Sequence, residues 1–196
     1  MIKKMSIFAV LALILLPAGV MAAGVQGSGS MSGSPGDWAD NPSVSSVQAV
    51  VLTDDEINWL TYMREEEKVA RDVYLYLNES WNERIFNNIA ASEQVHMNAI
   101  KVLLDTYAIP DPAAGNGIGE FTNPDLQKLY DDLIRQGSIS KVEAFRVGVI
   151  IEETDIDDLT EGITTARHND IRTVYGNLLQ GSLKHLDAFE TSLAKY

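Results

Sequence analysis

The sequence predicts an all-α fold, an antiparallel bundle of four long helices with an extra short helix in the connection between the second and the third. Apolar residues recur at spacings of three and four through four long segments, which is the helical period. No stretch alternates at period two for long enough to predict a strand, and no proline interrupts the four segments. This pattern favours helices packed on helices.

The first two helices have clear sequence limits. Thr53 and Glu56 form a capping-box pattern that opens the first helix, which we expect to end at about Glu79. The second helix is predicted from about Glu83 to Tyr107. Each has an apolar stripe with polar residues in it: Leu60, Met63, Glu67, Ala70, Tyr74 and Leu77 in the first, and Ile89, Glu93, His96, Ile100, Leu103 and Tyr107 in the second.

The second half begins after a connection that is rich in proline and glycine, at Pro110, Pro112, Gly115, Gly117 and Gly119. A short helix should run from Pro124 to a stop at Gly137. Ser140 and Glu143 form a second capping-box pattern before the third long helix, and the fourth starts near Asp170. Their stripes contain Phe145, Gly148, Glu152, Asp155 and Leu159, then Ile171, Val174, Leu178, Ser182, His185, Phe189 and Leu193.

The N-terminal region has the order of a secretory signal peptide. Lys3 and Lys4 precede an apolar run over residues 5–16, and small residues then suit cleavage after Ala22. We therefore expect a signal peptide over 1–22, a flexible tether rich in Gly, Ser and Pro over 23–48, and the helical domain over 49–196. This organisation predicts an extracytoplasmic protein, secreted or periplasmic. The alternative is an uncleaved segment that anchors the chain to a membrane.

Composition excludes several classes of function. The chain has 196 residues, a formal charge of −13 and no cysteine. An acidic chain without a basic cluster is not expected to bind nucleic acid. The absence of cysteine excludes thiol catalysis, zinc-thiolate sites and iron–sulfur ligation within this chain. Chemistry must therefore rest on carboxylates, the three histidines, hydroxyl groups and the backbone.

Polar residues stand near the middle of all four stripes. Counted from a bend near residue 80, Glu67 is level with Glu93 and His96, and from a bend near residue 167 Glu152 is level with Ser182. Singly, each has an ordinary explanation, since the run of glutamates at 65–67 could be a solvated face and a helical histidine is often only hydrogen-bonded. Together they indicate a metal site, because buried charges need a partner or a metal.

Two further residues have simpler interpretations. Tyr74 is interpreted as core packing, with hydrogen bonding near the polar residues as the alternative. His168 falls at the presumed bend between the third and fourth helices and is interpreted as a solvated loop residue.

Several motifs resemble a known family. The runs "EEEKVARDVY" and "IAASEQVHMNAI" are similar to the first half of rubrerythrin-like members of the ferritin-like superfamily. Together with "GVIIEETDIDDL" and "GSLKHLDAF", they resemble the uncharacterised family DUF2202. The resemblance covers about residues 52 to 193, and its most specific elements are Glu67 with Ala70-Arg71, and Glu93-x-x-His96.

The resemblance implies a dinuclear carboxylate site for two divalent metal ions, iron first, with manganese or zinc as alternatives. Ser182 departs from the pattern, since diiron proteins of this kind have a glutamate there. The implied chemistry is of the oxidase, ferroxidase or peroxidase type, with dioxygen or peroxide as co-substrate. The ligands that it implies are Glu67, Glu93, His96, Glu152 and His185, with Asp155 as a second carboxylate of the third long helix.

The sequence leaves a second function open. Because serine is a poor metal ligand, the protein could be a non-enzymatic secreted helical bundle with one metal or none, acting as a metal-binding or protein-interaction module. The sequence is compatible with an enzyme and with a protein that has no enzymatic activity, and with a homodimer.

Overall fold

The structure, a computed structural model, describes residues 51–196 as a bundle of helices without strands. The predicted all-α fold is thus confirmed for this segment, including the short helix between the second and third long helices. None of its helices combines the length and the apolar character of a membrane span. The predicted signal peptide and tether lie outside the described residues. The helices are α1 (Asp54–Trp81), α2 (Arg84–Thr106), α3 (Pro124–Gly137), α4 (Lys141–Thr165) and α5 (Asn169–Leu193).

The beginning of α1 follows the sequence prediction. The amide of Glu56 donates to Oγ1 of Thr53 at 3.2 Å, and the amide of Thr53 donates to Oε2 of Glu56 at 2.9 Å, which completes the capping box. The helix ends at Asn82 in the left-handed conformation (φ 51°), which asparagine tolerates better than most residues do.

The second predicted capping box forms only in part. Oγ of Ser140 accepts from the amide of Glu143 at 3.1 Å and caps α4. The carboxylate of Glu143 instead accepts from Nε2 of Gln136 at 3.0 Å and from Arg146. Neighbouring side chains therefore take the carboxylate that the sequence pattern assigned to the cap.

The long helices form two hairpins that pack side by side. α1 packs on α2 and α4 packs on α5, and the hairpins meet where α1 contacts α4 and α2 contacts α5. Tyr62 near the start of α1 contacts Asp158 near the end of α4, whereas Tyr74 further along α1 contacts Glu152 earlier on α4. α1 and α4 therefore run in opposite directions. Consequently α2 and α4 run in the same direction, and residues 107–123 with α3 connect them.

Gly137 ends α3 for a reason other than the predicted one. It does not adopt a positive φ, and the cap residue Ser138 is right-handed. A Cβ at Gly137 would lie 2.6 Å from Cδ2 of Leu77 on α1. The glycine therefore allows α3 to approach α1 closely.

Buried polar side chains of α1 hold the connection over residues 107–123. Arg64 makes a two-bond ion pair with Asp111, with both nitrogen–oxygen distances 3.0 Å. Nζ of Lys68 donates to the carbonyl of Gly117 at 2.7 Å and pairs with Asp72 at 2.6 Å. Since Arg64, Lys68 and Asp72 are almost fully buried, the connection covers this side of α1 and is fixed to it.

Glu65 receives the chain that leads into α3. Its carboxylate accepts from the amides of Thr122 at 2.6 Å and Asn123 at 2.9 Å. Asn123 is also the N-cap of α3. Because Glu65 is buried, water cannot replace its carboxylate as the hydrogen-bond acceptor for these amides.

Glu65→Gln should therefore lower the free energy of unfolding by about 1–3 kcal/mol, because the amide group of glutamine cannot accept from both backbone donors. Urea unfolding followed by circular dichroism measures this. Glu79→Gln on the exposed side of α1 is the matched control and should change the free energy by less than about 0.5 kcal/mol. Equal effects of the two changes would contradict the role of Glu65.

Candidate metal centre

Four helices contribute buried polar side chains to one region in the middle of the bundle. α1 contributes Glu67, and α5 contributes His185. These residues and their partners from α2 and α4 are each at most 9% exposed. The full set is Glu67, Glu93, His96, Glu152, Asp155 and His185.

The first group joins α1 and α2. Nδ1 of His96 lies 2.7 Å from Oε2 of Glu93 and 3.2 Å from Oε2 of Glu67. The ligand atoms of these three residues all fall within 4.8 Å of one another, as a shared cation would require. Glu93 and His96 reach one point because residues three apart lie on the same helical face.

The second group joins α2, α4 and α5. Nδ1 of His185 lies 2.8 Å from Oε1 of Glu93 and 3.5 Å from Oε2 of Glu152. These ligand atoms again lie within 4.8 Å of one another. Glu93 therefore belongs to both groups, one oxygen to each histidine, and the rings of His96 and His185 are 5.6 Å apart.

Asp155 is beside the two groups but belongs to neither. Its Oδ2 accepts a hydrogen bond of 2.5 Å from Oγ of Ser182, which is fully buried on α5. Ser182 also lies 3.1 Å from the carbonyl of Leu178. The serine at the position that departs from the diiron pattern therefore orients the carboxylate of Asp155.

The region contains buried atoms with no hydrogen-bond partner. Oε1 of Glu67 and Oδ1 of Asp155 are in this condition, whereas Oε1 of Glu93 and Nδ1 of His185 form an ion pair of 2.8 Å without an aligned hydrogen bond. Leaving such atoms unpaired in a protein interior is costly. The donor set, carboxylate oxygens with imidazole nitrogens, suits iron, manganese or zinc. These residues therefore fit a metal ion on both their chemistry and their unsatisfied atoms.

Three carboxyl groups of this region have pKa values above the usual range of carboxylic acids. Burial, with the charges of Asp155 and Glu93, raises the pKa of Glu67 well above its usual value. Burial also raises the pKa of Glu152 to about 7 and, together with the charge of Glu152, that of Asp155 to about 8. Without a cation, these carboxylates repel one another in a medium that solvates them poorly.

The shared glutamate and the histidines shift in the opposite sense. Burial acts to raise the pKa of Glu93, but the bonds and charges of His185 and His96 outweigh it and lower the pKa to about 2. Burial likewise disfavours a charged His185, yet Glu152 and Glu93 raise its pKa to about 9. In the metal-free protein, protonated imidazoles therefore supply part of the positive charge that metal ions would bring.

Tyr74 has both of the roles considered from the sequence. Its ring packs 5.2 Å from that of Phe189, and its hydroxyl donates to Oε1 of Glu152 at 2.6 Å. On α2, Oγ of Ser92 lies 3.0 Å from Nε2 of His185, a partner that sequence reasoning missed. These contacts fix the orientation of two of the candidate ligands.

His168 is not the solvated residue that the sequence suggested. Its Nδ1 lies 2.8 Å from Oε1 of Glu56, which also accepts from the amides of Arg167 and His168. The side chain of His168 is 9% exposed. The contact joins the start of α1 to the turn between α4 and α5, away from the metal centre.

Sequence analysis also missed Gly181, although a glycine inside a helical pattern can indicate that another group packs closely against the helix. A Cβ at Gly181 would lie 2.5 Å from Nε2 of His96 and 2.8 Å from its Cε1. By contrast, a Cβ at Gly176 on the same helix would meet nothing within 4 Å. Gly181 therefore makes room for the imidazole of His96 between α2 and α5.

Gly181→Ala should displace the ring of His96, whereas Gly176→Ala should only improve helix propensity. We expect Gly176→Ala to raise the free energy of unfolding by roughly 0.5–1 kcal/mol. Gly181→Ala should lower it by about 1–3 kcal/mol and shift the NMR signals of the His96 ring. Identical behaviour of the two variants in urea unfolding and NMR would refute the positioning role of Gly181.

The stability of the metal-free protein should fall as pH rises from about 5 to about 8. Glu152 and Asp155 have raised pKa values in the folded state, so the folded protein binds more protons than the unfolded chain in this window. The protonated form of His185 adds to the fall above its ordinary pKa. Linkage predicts a total loss on the order of 3 kcal/mol or more, measurable by urea unfolding across pH in the presence of a chelator.

Asp155→Asn should make this pH profile shallower, because one of the titrating groups is removed. Asp157→Asn, on the exposed side of α4, is the matched control and should leave the slope unchanged. A flat profile for the unmodified metal-free protein would show that the carboxylates do not share protons in this way.

Comparison with known proteins places the chain in a family without an established function. Residues 56–195 match the family described as "Uncharacterized protein domain (DUF2202)". The uncharacterized protein MJ0754 of Methanocaldococcus jannaschii is 46% identical over 153 residues, which are 78% of this chain and 83% of that protein.

Two crystal structures are similar to the described domain. The structure of the hypothetical protein MJ0754 has a TM-score of 0.73 and 48% identity, and the match covers 74% of this chain and 83% of the other. A DUF305 fragment from Deinococcus radiodurans has a TM-score of 0.54 at 12% identity, covers 74% and 98% of the two chains, and shows likeness of fold alone. The extent of the family match and the identity to MJ0754 together show that the chain belongs to the DUF2202 family.

Proposed function

We propose that this protein is an exported, ferritin-like protein that holds two divalent metal ions, iron first, between its carboxylate and histidine side chains. Its activity is of the oxidase, ferroxidase or peroxidase type. Export rests on the order of charged, apolar and small residues over 1–22. The metal centre rests on the geometry of the described domain.

One observation carries the metal-binding proposal. Unpartnered buried oxygens of Glu67 and Asp155 lie where two histidine–carboxylate groups share Glu93. In a core that has no use for a cation, apolar side chains at these positions would be at least as stable, and apolar residues fill neighbouring stripe positions such as Met63 and Ile100. The four carboxylates of the region would be neutralised by two divalent ions.

The ligand sets follow from the two groups. One ion would be held by Glu67, Glu93 and His96, and the other by Glu93, Glu152 and His185. Asp155 is available through Oδ1, while Ser182 holds its Oδ2. When bound, two iron ions would supply electron transfer to dioxygen or peroxide.

The protein's own side chains prepare this region for that chemistry. Tyr74 holds Glu152 and Ser92 contacts the outer nitrogen of His185, so that the inner nitrogen faces the carboxylates. Burial restricts access to small molecules and lowers the local dielectric, which strengthens the hold of the carboxylates on cations.

The helix order supports the ferritin-like assignment. The first and third long helices, α1 and α4, are antiparallel neighbours, and a long connection joins the parallel helices α2 and α4. This arrangement of two hairpins with one long crossover is the topology of ferritin-like bundles. In such bundles, Glu-x-x-His pairs project inward to a pair of metals, as Glu93 and His96 do here.

A second candidate is a helical bundle with one ion, used for metal binding or for contact with another protein. It is favoured by Ser182, which occupies the place of a ligand and takes one oxygen of Asp155. The two candidates differ in the number of ions per chain, since Glu93 would serve both ions in the first and one in the second.

The protein loaded anaerobically with iron(II), and separately with manganese(II), should hold about two ions per chain at the centre, counted by elemental analysis as the difference from Glu93→Ala. His96→Ala should remove one of them, because it lies in the first group alone. Glu93→Ala should remove both. A difference near one ion would support the second candidate, and no difference would refute both metal-binding proposals.

Glu190→Ala on the exposed side of α5 is the control for loss of a carboxylate and should leave the metal content unchanged. Far-UV circular dichroism should show similar helicity in every variant. If Glu93→Ala binds as many ions as the unmodified protein while remaining folded, the assignment of Glu93 as the shared ligand is wrong.

A further inference from the structure

A second pair of buried carboxylates lies outside the metal centre. Glu66 on α1 and Asp158 on α4 are each 6% exposed. The hydroxyl of Tyr62 lies 3.4 Å from Oε1 of Glu66 and 3.2 Å from Oδ2 of Asp158. Because a hydroxyl has a single hydrogen, it can donate to only one of them at a time.

The pair is exceptional among the buried acids outside the centre. Glu56 accepts from three backbone amides and Glu65 from two, and Asp72 pairs with Lys68 and Arg71. Within residues 51–196, no ion pair involves either Glu66 or Asp158. The fold therefore supplies donors to its other buried acids and leaves this pair without positive charge.

One oxygen of the pair has no hydrogen-bond partner. This oxygen is Oε2 of Glu66, and it is buried. Leaving a carboxylate oxygen unpaired in a protein interior is costly. The pair therefore presents an unsatisfied oxygen ligand between α1 and α4.

The geometry points to a third cation site, formed by Glu66, Asp158 and Tyr62. The site offers oxygen ligands only. It therefore suits a hard divalent cation such as manganese(II), whereas the imidazole nitrogens of the centre also favour iron and zinc. It goes beyond the proposed function because it uses none of the six residues of that centre.

The location suggests what such a site does. Asp158 is adjacent in sequence to the exposed Asp157, and Glu161 is exposed one turn further along α4. Glu66 directly precedes Glu67 of the centre. A cation at this site would lie between an acidic surface and the metal centre. This is the position expected of a transient binding site for metal ions on their way to the centre.

Counting tightly bound manganese(II) by equilibrium dialysis of the full chain tests the site. The variant Glu66→Gln/Asp158→Asn should bind one ion fewer per chain than the unmodified protein. It should also bind one fewer when both changes are made in the Glu93→Ala background, where the centre itself is disabled. If the ion is lost in both backgrounds, this site is separate from the centre. A failure of the proposed centre would appear differently, as a Glu93→Ala protein that binds as many ions as the unmodified protein.

The control Asp157→Asn/Glu161→Gln removes the same charge from the exposed part of α4 and should keep the full number of ions. Terbium(III) luminescence excited through the aromatic side chains is a second measurement. It should fall several-fold in Glu66→Gln/Asp158→Asn and, to a smaller extent, in Tyr62→Phe. Unchanged manganese content and unchanged terbium emission in Glu66→Gln/Asp158→Asn would overturn the proposal.

Discussion

Glu93 lies between the two histidines of the bundle, and the arrangement of the whole centre depends on these contacts. One of its oxygens is 2.7 Å from His96 and the other 2.8 Å from His185. The first contact is local, since Glu93 and His96 are three residues apart on α2, but the second crosses to α5 from the other hairpin. A single carboxylate therefore links the two halves of the domain at the point where each half brings its own glutamate, Glu67 or Glu152.

The same constraint, the cost of burying charge, explains the unusual first helix. Three consecutive glutamates of α1 are all buried, and each meets a different environment. Glu65 accepts from backbone amides, Glu66 faces Asp158, and Glu67 contacts His96 in the candidate metal centre. One helix can do this because consecutive residues point about 100° apart, and α1 is surrounded by α2, α3 and α4. The charge run is therefore not the solvated face that is its ordinary explanation.

The long connection between α2 and α4 is held by the polar side of α1, which explains why a segment rich in glycine and proline has a defined position. Arg64 and Lys68 reach Asp111 and the carbonyl of Gly117 from the helix side. Gly115 and Gly119 adopt positive φ, so the chain can turn towards these partners. Covering α1 in this way keeps water from the outer side of the helix that contributes Glu67 to the centre.

The sequence by itself determined the helices, because their period, caps and breaking residues are local features. It predicted both ends of α1, α2 and α3 and the start of α5 to within about two residues. It also selected the polar positions of the stripes, since a polar residue at a core position is costly wherever the helix packs. Only the tertiary structure decided which of these residues meet. The sharing of Glu93, the bond from Ser182 to Asp155, the space that Gly181 leaves for His96 and the contact between His168 and Glu56 all join residues from different helices. Such contacts depend on the rotation and depth of each helix in the bundle, and the helical period of one segment contains no information about its neighbour.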